Sequence, residues 1–286
     1  MRKVQLCFFL FFTTGIFVSC KSPEYFIYSP SPPVNPFFKE KGDSKISVYV
    51  SAASGTREEP GIDLQAAYAI TNHLAVTGSF FYRKERDEYS NWHWFRPTPG
   101  ENDSVVNRYH RRMGEIGMGY FTAINSKKTI IFNLYAGYGW GNFFVNENGL
   151  NDLNGQQYRR EYKTNLKKWY IQPSMNFMPL KVFKVGVAAK LSSVNYDQVG
   201  LIFSNAEPGN RGLDNNNFTN HTQLFIEPSV NLQIAFPPPW LKLDLGLTIC
   251  KNYDERAYDR KGLNHRVFNA SIGLTFDLFK INTDKK

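Results

Sequence analysis

Histidine and aspartate side chains are the groups in this sequence best suited to acid–base chemistry. His110, His221 and His265 each lie near the end of a segment with strand-like alternation. A His/Asp pair at such a place could activate a water molecule for hydrolysis, with the imidazole as base. Scattered loop histidines are usually polar surface residues, so we expect no enzyme and keep a hydrolase at the loop end as the alternative. The aspartates in neighbouring predicted loops are Asp214, Asp254 and Asp259.

The N-terminus carries a second kind of chemistry, centred on a cysteine. A basic start and an apolar run over residues 6–12 precede Ser19 and Cys20, which is typical of a secretory signal peptide over residues 1–19. A cysteine directly after a small residue resembles the lipobox of bacterial lipoproteins. This resemblance implies an acylated Cys20 as the first mature residue. The alternative is an ordinary signal peptide with a chance cysteine, since Phe17 stands where the family pattern commonly has Leu.

The remaining cysteines predict no further chemistry. Cys7 is removed with the signal peptide, and Cys250 is then left without a partner for a disulfide or a zinc cluster. No Gly-rich phosphate loop precedes a helix, so we expect no cofactor and no metal. The cations are spread around the predicted loops and form no single patch, so we expect no nucleic-acid partner.

Between the signal peptide and the first alternating segment lies a proline-rich stretch. We interpret residues 20–44 as an extended, lipid-anchored tether and residues 45–286 as the folded domain. The prolines of this stretch are Pro23, Pro30, Pro32, Pro33 and Pro36.

Composition limits how such a domain could meet a membrane. The chain has 286 residues, a formal net charge of +9 and 16% aromatic residues, and its mean hydropathy is -0.41. These values exclude a disordered polyelectrolyte and a bundle of hydrophobic helices. After residue 20 no apolar run approaches the roughly 20 residues of a spanning helix, so any later crossing must use strands.

The elements that position the reactive residues are strands, because a period of two dominates from Lys45 onward. Residues 130–140 show it well, with one parity apolar and the other small or polar, and residues 223–236 repeat the pattern. Ten such segments can be counted. The links between them alternate in length, with long ones at 85–106, 147–157, 197–219 and 252–264.

An even strand count with short turns at one end and long loops at the other resembles the bacterial outer-membrane β-barrels. The resemblance implies an all-β, antiparallel up-and-down transmembrane barrel in the outer membrane of a Gram-negative cell envelope. It also implies a monomer in contact with outer-membrane lipids, with extracellular loops and with the N-terminus on the periplasmic side. A soluble lipid-anchored barrel or sandwich is the alternative, although ten strands would overfill its core.

In a membrane barrel the charged strand residues must face the lumen, since Arg or Lys facing lipid at mid-depth costs about 2–4 kcal/mol. Glu115, Lys190 and Glu227 are expected in one layer near mid-height. We interpret the set as a lumen-filling polar core, with a transport path as the alternative. A second layer nearer the periplasm is expected to contain Lys184, Lys242, Asp244 and Asp277.

Arginines are abundant near the predicted loop ends. Guanidinium groups at that height could bind the phosphates of lipopolysaccharide in bidentate fashion, and a solvated polar surface is the alternative. The candidate binding residues are Arg108, Arg111, Arg112, Arg159, Arg160, Arg256 and Arg260.

These patterns predict a barrel with a side-chain-filled lumen and a structural or surface-binding role through basic extracellular loops. The first alternative is a narrow porin or small-solute transporter. The second is the loop-end hydrolase, because the omptin proteases are similar to this chain in strand number and approximate length, although no omptin motif is recognisable.

Overall fold

The computed structural model describes residues 25–53, 61–90, 104–150, 156–180, 182–197, 199–205, 222–238, 240–253 and 263–277. The described residues form strands joined by turns and irregular segments. Among them, no helix is long and apolar enough to cross a membrane. The predicted signal peptide at 1–19 and Cys20 lie outside the described residues.

Fourteen strands are present in the described chain. Four of them, β4 to β7, are much longer than the others. The strands are β1 Tyr25–Tyr28, β2 Ser44–Ala53, β3 Gly61–Ala69, β4 Leu74–Ser90, β5 Ser104–Ala123, β6 Ile130–Leu150, β7 Gln157–Phe177, β8 Phe183–Tyr196, β9 Gly200–Ser204, β10 Gln223–Ala235, β11 Leu241–Ile249, β12 Lys251–Asn252, β13 Leu263–His265 and β14 Phe268–Phe276.

Ten of these strands close into one antiparallel barrel. The neighbours run in the order β11, β14, β2, β3, β4, β5, β6, β7, β8 and β10, and β10 pairs with β11 to complete the ring. The predicted ten-stranded, all-β, antiparallel barrel is therefore confirmed. Two short strands extend this sheet, with β9 on β7 and β12 on β10. β1 pairs in parallel with β13 as a separate two-stranded sheet.

Apolar side chains cover the outside of the barrel. Ile116 and Met118 on β5 are 56% and 60% exposed, and Leu64 on β3 is also exposed. The other parity faces inward and is largely polar, as with Ser47 and Asn133. This distribution is the inverse of a soluble β-sandwich, where the apolar parity is the buried one. The apolar outer band ends, on the side of the long connections, at exposed rings of Tyr82, Trp140 and Trp169.

Beyond those rings, strands β4 to β7 continue as a collar, formed by residues 83–90, 104–111, 141–150 and 157–166. Several of these residues were expected in loops, at 85–106 and 147–157. The polarity reverses in the collar, since Arg108 is outside while Tyr109 and Val145 are buried inside. The collar therefore has a polar surface and an interior that combines apolar side chains with buried ion pairs such as Arg160 with Glu147.

The proline-rich stretch lies inside the barrel. Every residue from Ile27 to Phe38, here called the lumen segment, is buried. The segment is extended and runs down the bore. Its Phe38 end packs on Phe121 near the short turns, and its Tyr25 end pairs with β13 beside the long connections.

Prolines make this burial physically reasonable. Proline has no backbone N–H, so Pro30, Pro32, Pro33 and Pro36 leave fewer buried donors to satisfy. Their carbonyl oxygens accept hydrogen bonds from amide side chains of the wall, since Gln65 donates to the Pro32 carbonyl at 3.0 Å and Asn176 to the Pro36 carbonyl at 2.7 Å. The segment is thus bound without joining the sheet.

Candidate functional site: the lumen and the collar

A buried ion network occupies the middle of the lumen. Lys190 lies 2.9 Å from Glu115. The Lys168 ammonium lies 2.9 Å from Glu115 and 3.2 Å from Glu227. The predicted mid-height residues Glu115, Lys190 and Glu227 are thus brought together, and Lys168, which was not among them, is the group that joins the two carboxylates.

The lumen segment takes part in this network. Tyr28 donates a hydrogen bond to Glu227 at 2.8 Å and accepts one from Lys168 at 2.7 Å. Ser31 donates to Glu115 at 3.2 Å. A buried carboxylate needs both a counter-charge and hydrogen-bond donors. The network therefore depends on the segment as well as on the wall.

A second charged layer lies toward the short turns. Lys242 lies 3.4 Å from Asp277, and Asp244 pairs with Lys45 at 2.8 Å. Lys184 stands over the ring of Phe37 in the lumen segment, 5.4 Å from its centroid. Lys45 was missed because it is the first residue of the alternating region and carries no depth signal.

A third cluster, in the collar, holds the upper end of the segment. Arg266 contacts Glu85 at 3.0 Å and Asp87 at 2.7 Å, and its guanidinium stacks 3.9 Å from the ring of Phe26. Arg111 pairs with Glu85 and donates to the Phe26 carbonyl. We call Glu85, Asp87, Arg111, Arg266 and Phe26 the latch.

Burial and neighbouring charges shift the pKa values of the two latch carboxylates in opposite directions. Burial acts to raise the pKa of Glu85, but attraction to Arg111 and Arg266 outweighs it and lowers that pKa from 4.5 to about 2. For Asp87, burial outweighs the attraction of Arg266, and its pKa rises above 3.8. Glu85 is therefore the carboxylate that the arginines hold ionised.

The predicted lipopolysaccharide-binding arginines divide into different environments. Arg111 and Arg160 are buried inside the collar, where Arg160 pairs with Glu147 at 3.3 Å. This corrects the assignment of these two residues to a lipopolysaccharide-binding surface, because inward-facing carboxylates are their partners. Arg108, Arg112 and Arg159 are on the outer surface, with Arg159 paired to Glu161. Arg256 and Arg260 lie outside the described residues.

Two outward cations lie at the base of the collar, level with the aromatic rings. Arg112 is directly opposite Tyr82 across β4 and β5. Lys167 is directly opposite Trp140 across β6 and β7. Both side chains are exposed, and Lys167 lies 3.8 Å from the exposed Asp197. Cationic groups here stand where an apolar band gives way to a polar surface.

Two of the candidate histidines, His110 and His265, lie on opposite faces of the barrel wall. His110 packs edge-on against Phe144 on the outside, and His265 shares a hydrogen bond with the Cys250 carbonyl at 3.2 Å inside. His221 and the aspartates Asp214, Asp254 and Asp259 lie outside the described residues. Within the described ranges no group of three His, Cys, Asp or Glu side chains could hold a metal ion.

Comparison with known proteins gives likeness in architecture only. No family model matches the chain, and no curated protein matches it. The outer membrane protease OmpT of Escherichia coli is 13% identical, with a TM-score of 0.46, over 83% of this chain and 94% of that one. Ail of Yersinia pestis, in a phospholipid nanodisc, is 12% identical, with a TM-score of 0.35, over 82% and 99%.

The Pseudomonas putida toluene transporter TodX is also similar, with 11% identity and a TM-score of 0.34 over 85% of this chain and 92% of that one. These three proteins are described as a protease, an attachment invasion locus protein and a transporter. At such identities and TM-scores the comparison assigns no activity to this chain.

Proposed function

We propose that this chain is an outer-membrane β-barrel whose bore is closed by its own N-terminal segment, and that it has a structural or surface-binding role without conducting solutes. The observation that carries this proposal is the continuous burial of Ile27 to Phe38 within the closed barrel. Barrels of about eight strands are already filled by side chains, and aqueous channels appear near 16. A bore of ten strands that also holds a peptide leaves no wide path.

The outer surface supports the membrane location. An exposed apolar band, bounded by Tyr82, Trp140 and Trp169, has the composition of a lipid-facing surface with an aromatic girdle. In water such a contiguous surface would promote association. The long collar on one side of the band then stands in the aqueous phase outside the cell.

Liposome swelling tests the closed bore against the alternative of a narrow porin or small-solute transporter. Proteoliposomes of the full chain are placed in an iso-osmotic solution of a small sugar, with an open porin as the positive control. We expect swelling no faster than in empty liposomes. Swelling at a rate comparable with the porin control would contradict the proposal.

For the base of the collar we propose a phosphate-bearing partner, the lipopolysaccharide of the outer leaflet. Arg112 and Lys167 support it, because they place cations beside the aromatic rings where lipid phosphates lie. A guanidinium can bind a phosphate in bidentate fashion. Arg108 and Arg159 are farther from the apolar band, and we assign them a solvated surface role.

Binding of purified lipopolysaccharide to the detergent-solubilised chain tests this partner. The paired substitution Arg112→Gln and Lys167→Gln should weaken binding about tenfold, which corresponds to about 1.4 kcal/mol. The matched control replaces Lys127 and Lys128 by Gln, since both are exposed in a short turn at the opposite end. Equal losses in both paired variants would contradict a specific site.

A further inference from the structure

The direction of the lumen segment determines where the chain before it must lie. The segment leads into β2, which begins at Ser44 beside the short turns. Its contacts follow the single strand β5 in order, from Phe38 against Phe121, through Ser31 on Glu115, to the Phe26 carbonyl on Arg111. The chain therefore crosses the whole bore, and Tyr25 is at the end of the long connections.

The upper end is held inside the collar by several independent contacts. Tyr25 donates a hydrogen bond to Glu147 on β6 and packs edge-on against Tyr162 on β7. Its backbone lies opposite Leu263 in the parallel pair of β1 and β13. Since Glu147 lies several residues beyond the Trp140 ring level on β6, this anchoring site is above the apolar band.

We propose that the N-terminus of the mature chain is displayed at the cell surface, so that a lipid carried by Cys20 enters the outer leaflet. This inference rests on the proposed outer-membrane location. Cys20 precedes Tyr25 by five residues, and an extended chain of that length spans about 17 Å. The hydrocarbon core alone is about 30 Å thick, so Cys20 cannot return to the periplasmic leaflet.

The proposal replaces the expectation of a periplasmic N-terminus and gives the lipid a mechanical role. The lumen segment continues into β2 at its lower end, and the lipid holds the chain above the collar. A segment tied at both ends cannot be withdrawn toward either side. The lipid partner is the outer leaflet itself, on the same side as the proposed lipopolysaccharide contact.

Cysteine labelling on intact cells tests the topology in the full chain. The parent is Cys250→Ser, which removes the buried free thiol. Ser22→Cys reports on the proposed displayed end, Arg108→Cys on the collar and Ser126→Cys on an exposed short turn. With a membrane-impermeant maleimide, we expect Ser22→Cys to label in intact cells to the same extent as Arg108→Cys. Ser126→Cys should label only after permeabilisation.

Three results would overturn the inference, and they are distinguishable. Labelling of Ser22→Cys only after permeabilisation overturns the surface N-terminus alone. Equal accessibility of Arg108→Cys and Ser126→Cys overturns the proposed membrane orientation, and the inference with it. Labelling of the parent on intact cells reveals a free Cys20 thiol and overturns the lipid anchor. Mass spectrometry of the N-terminal peptide should instead find acyl chains on Cys20.

Discussion

At the scale of single residues, Lys168 is the cation that joins two buried carboxylates in the lumen. Its ammonium is fully buried and is shared by Glu115 and Glu227. Removing one partner of a buried ion network is destabilising by about 3–5 kcal/mol, because the remaining charge is left uncompensated. We expect Lys168→Met to lower the urea midpoint of unfolding, measured by heat-modifiable gel mobility in detergent.

The matched control is Lys167→Met, the adjacent residue on the outside of β7. Its side chain is 60% exposed, and its ion pair with the exposed Asp197 is long, at 3.8 Å, so we expect a change below about 1 kcal/mol. Similar midpoints for the two variants would contradict the assignment of Lys168 to the centre of the network.

The latch should give the upper lumen segment a defined dependence on pH. Glu85 has a pKa of about 2 in the folded chain and an ordinary value of 4.5. A lowered folded pKa stabilises the fold above the ordinary pKa, and this contribution is lost as the pH falls through the folded value. Hydrogen exchange of the peptide containing Phe26 should therefore accelerate as the pH falls from 4.5 toward 2, after correction for intrinsic exchange.

Glu85→Gln separates this effect from general acid unfolding. The amide keeps the shape of the side chain but cannot ionise. The hydrogen-exchange rate near Phe26, corrected for intrinsic exchange, should therefore be higher than in the parent at pH 6. It should also lack the parent's acceleration between pH 4.5 and pH 2. Asp87, whose pKa is raised, works in the opposite sense over part of this range. Identical pH profiles for the parent and Glu85→Gln would rule out Glu85 as the responsive group.

At the scale of elements, β8 depends on a glycine where the lumen segment approaches it. A Cβ at Gly186 would collide with the side chains of Asn35 and Asn176. Forcing extra atoms into a packed interior costs about 1–3 kcal/mol. Gly186→Leu should therefore displace the segment and raise hydrogen exchange in residues 33–38 about tenfold, while the barrel stays folded.

Gly78→Leu is the matched control for that substitution. A Cβ at Gly78 meets only the Glu115 carbonyl oxygen, at an ordinary 3.8 Å, and the position is on the outer parity of β4. Exchange in residues 33–38 should remain at the parent rate in this variant. Unchanged exchange in Gly186→Leu would show that the segment does not press against β8.

Elements differ in how far the sequence predicts them. The ten barrel strands follow from alternation, because each has one continuous apolar parity such as that of Ile116 and Met118. The collar is less visible, because beyond Tyr82 both parities of β4 carry charged residues and the alternation of apolar with polar residues is lost. The lumen segment is invisible to periodicity, because its burial comes from wall side chains such as Gln65, Gln172 and Asn176, which are distant in sequence.

The same limit explains the partial prediction of the charge network. Strand direction and residue spacing place Glu115, Lys190 and Glu227 at one height. They do not reveal which side chains meet across the lumen, so the roles of Lys168 and Lys45 appear only in the three-dimensional structure. Arg111 and Arg160 were assigned to the loop end by their position along the chain, although each shares the inward parity of a buried residue on its own strand, Glu115 on β5 and Lys168 on β7.

At the scale of the whole molecule, the chain combines two environments along one barrel. In the band, apolar residues face outward and ions face inward, as lipid requires. In the collar, polar residues cover the outside, and the interior holds an apolar cluster that includes Ile27, Tyr109 and Phe143 beside the buried ion pairs of the latch. The lumen segment spans both parts, and its removal would therefore leave both without their central packing.

Planar-bilayer recording is the most direct test of a bore sealed by its own N-terminal segment. The full chain is compared with a variant whose residues 27–38 are replaced by Gly and Ser at equal length, after heat-modifiable mobility shows that both are folded. We predict no steady conductance for the full chain and a steady ohmic conductance for the variant. Equal steady conductance in the two proteins would contradict the account.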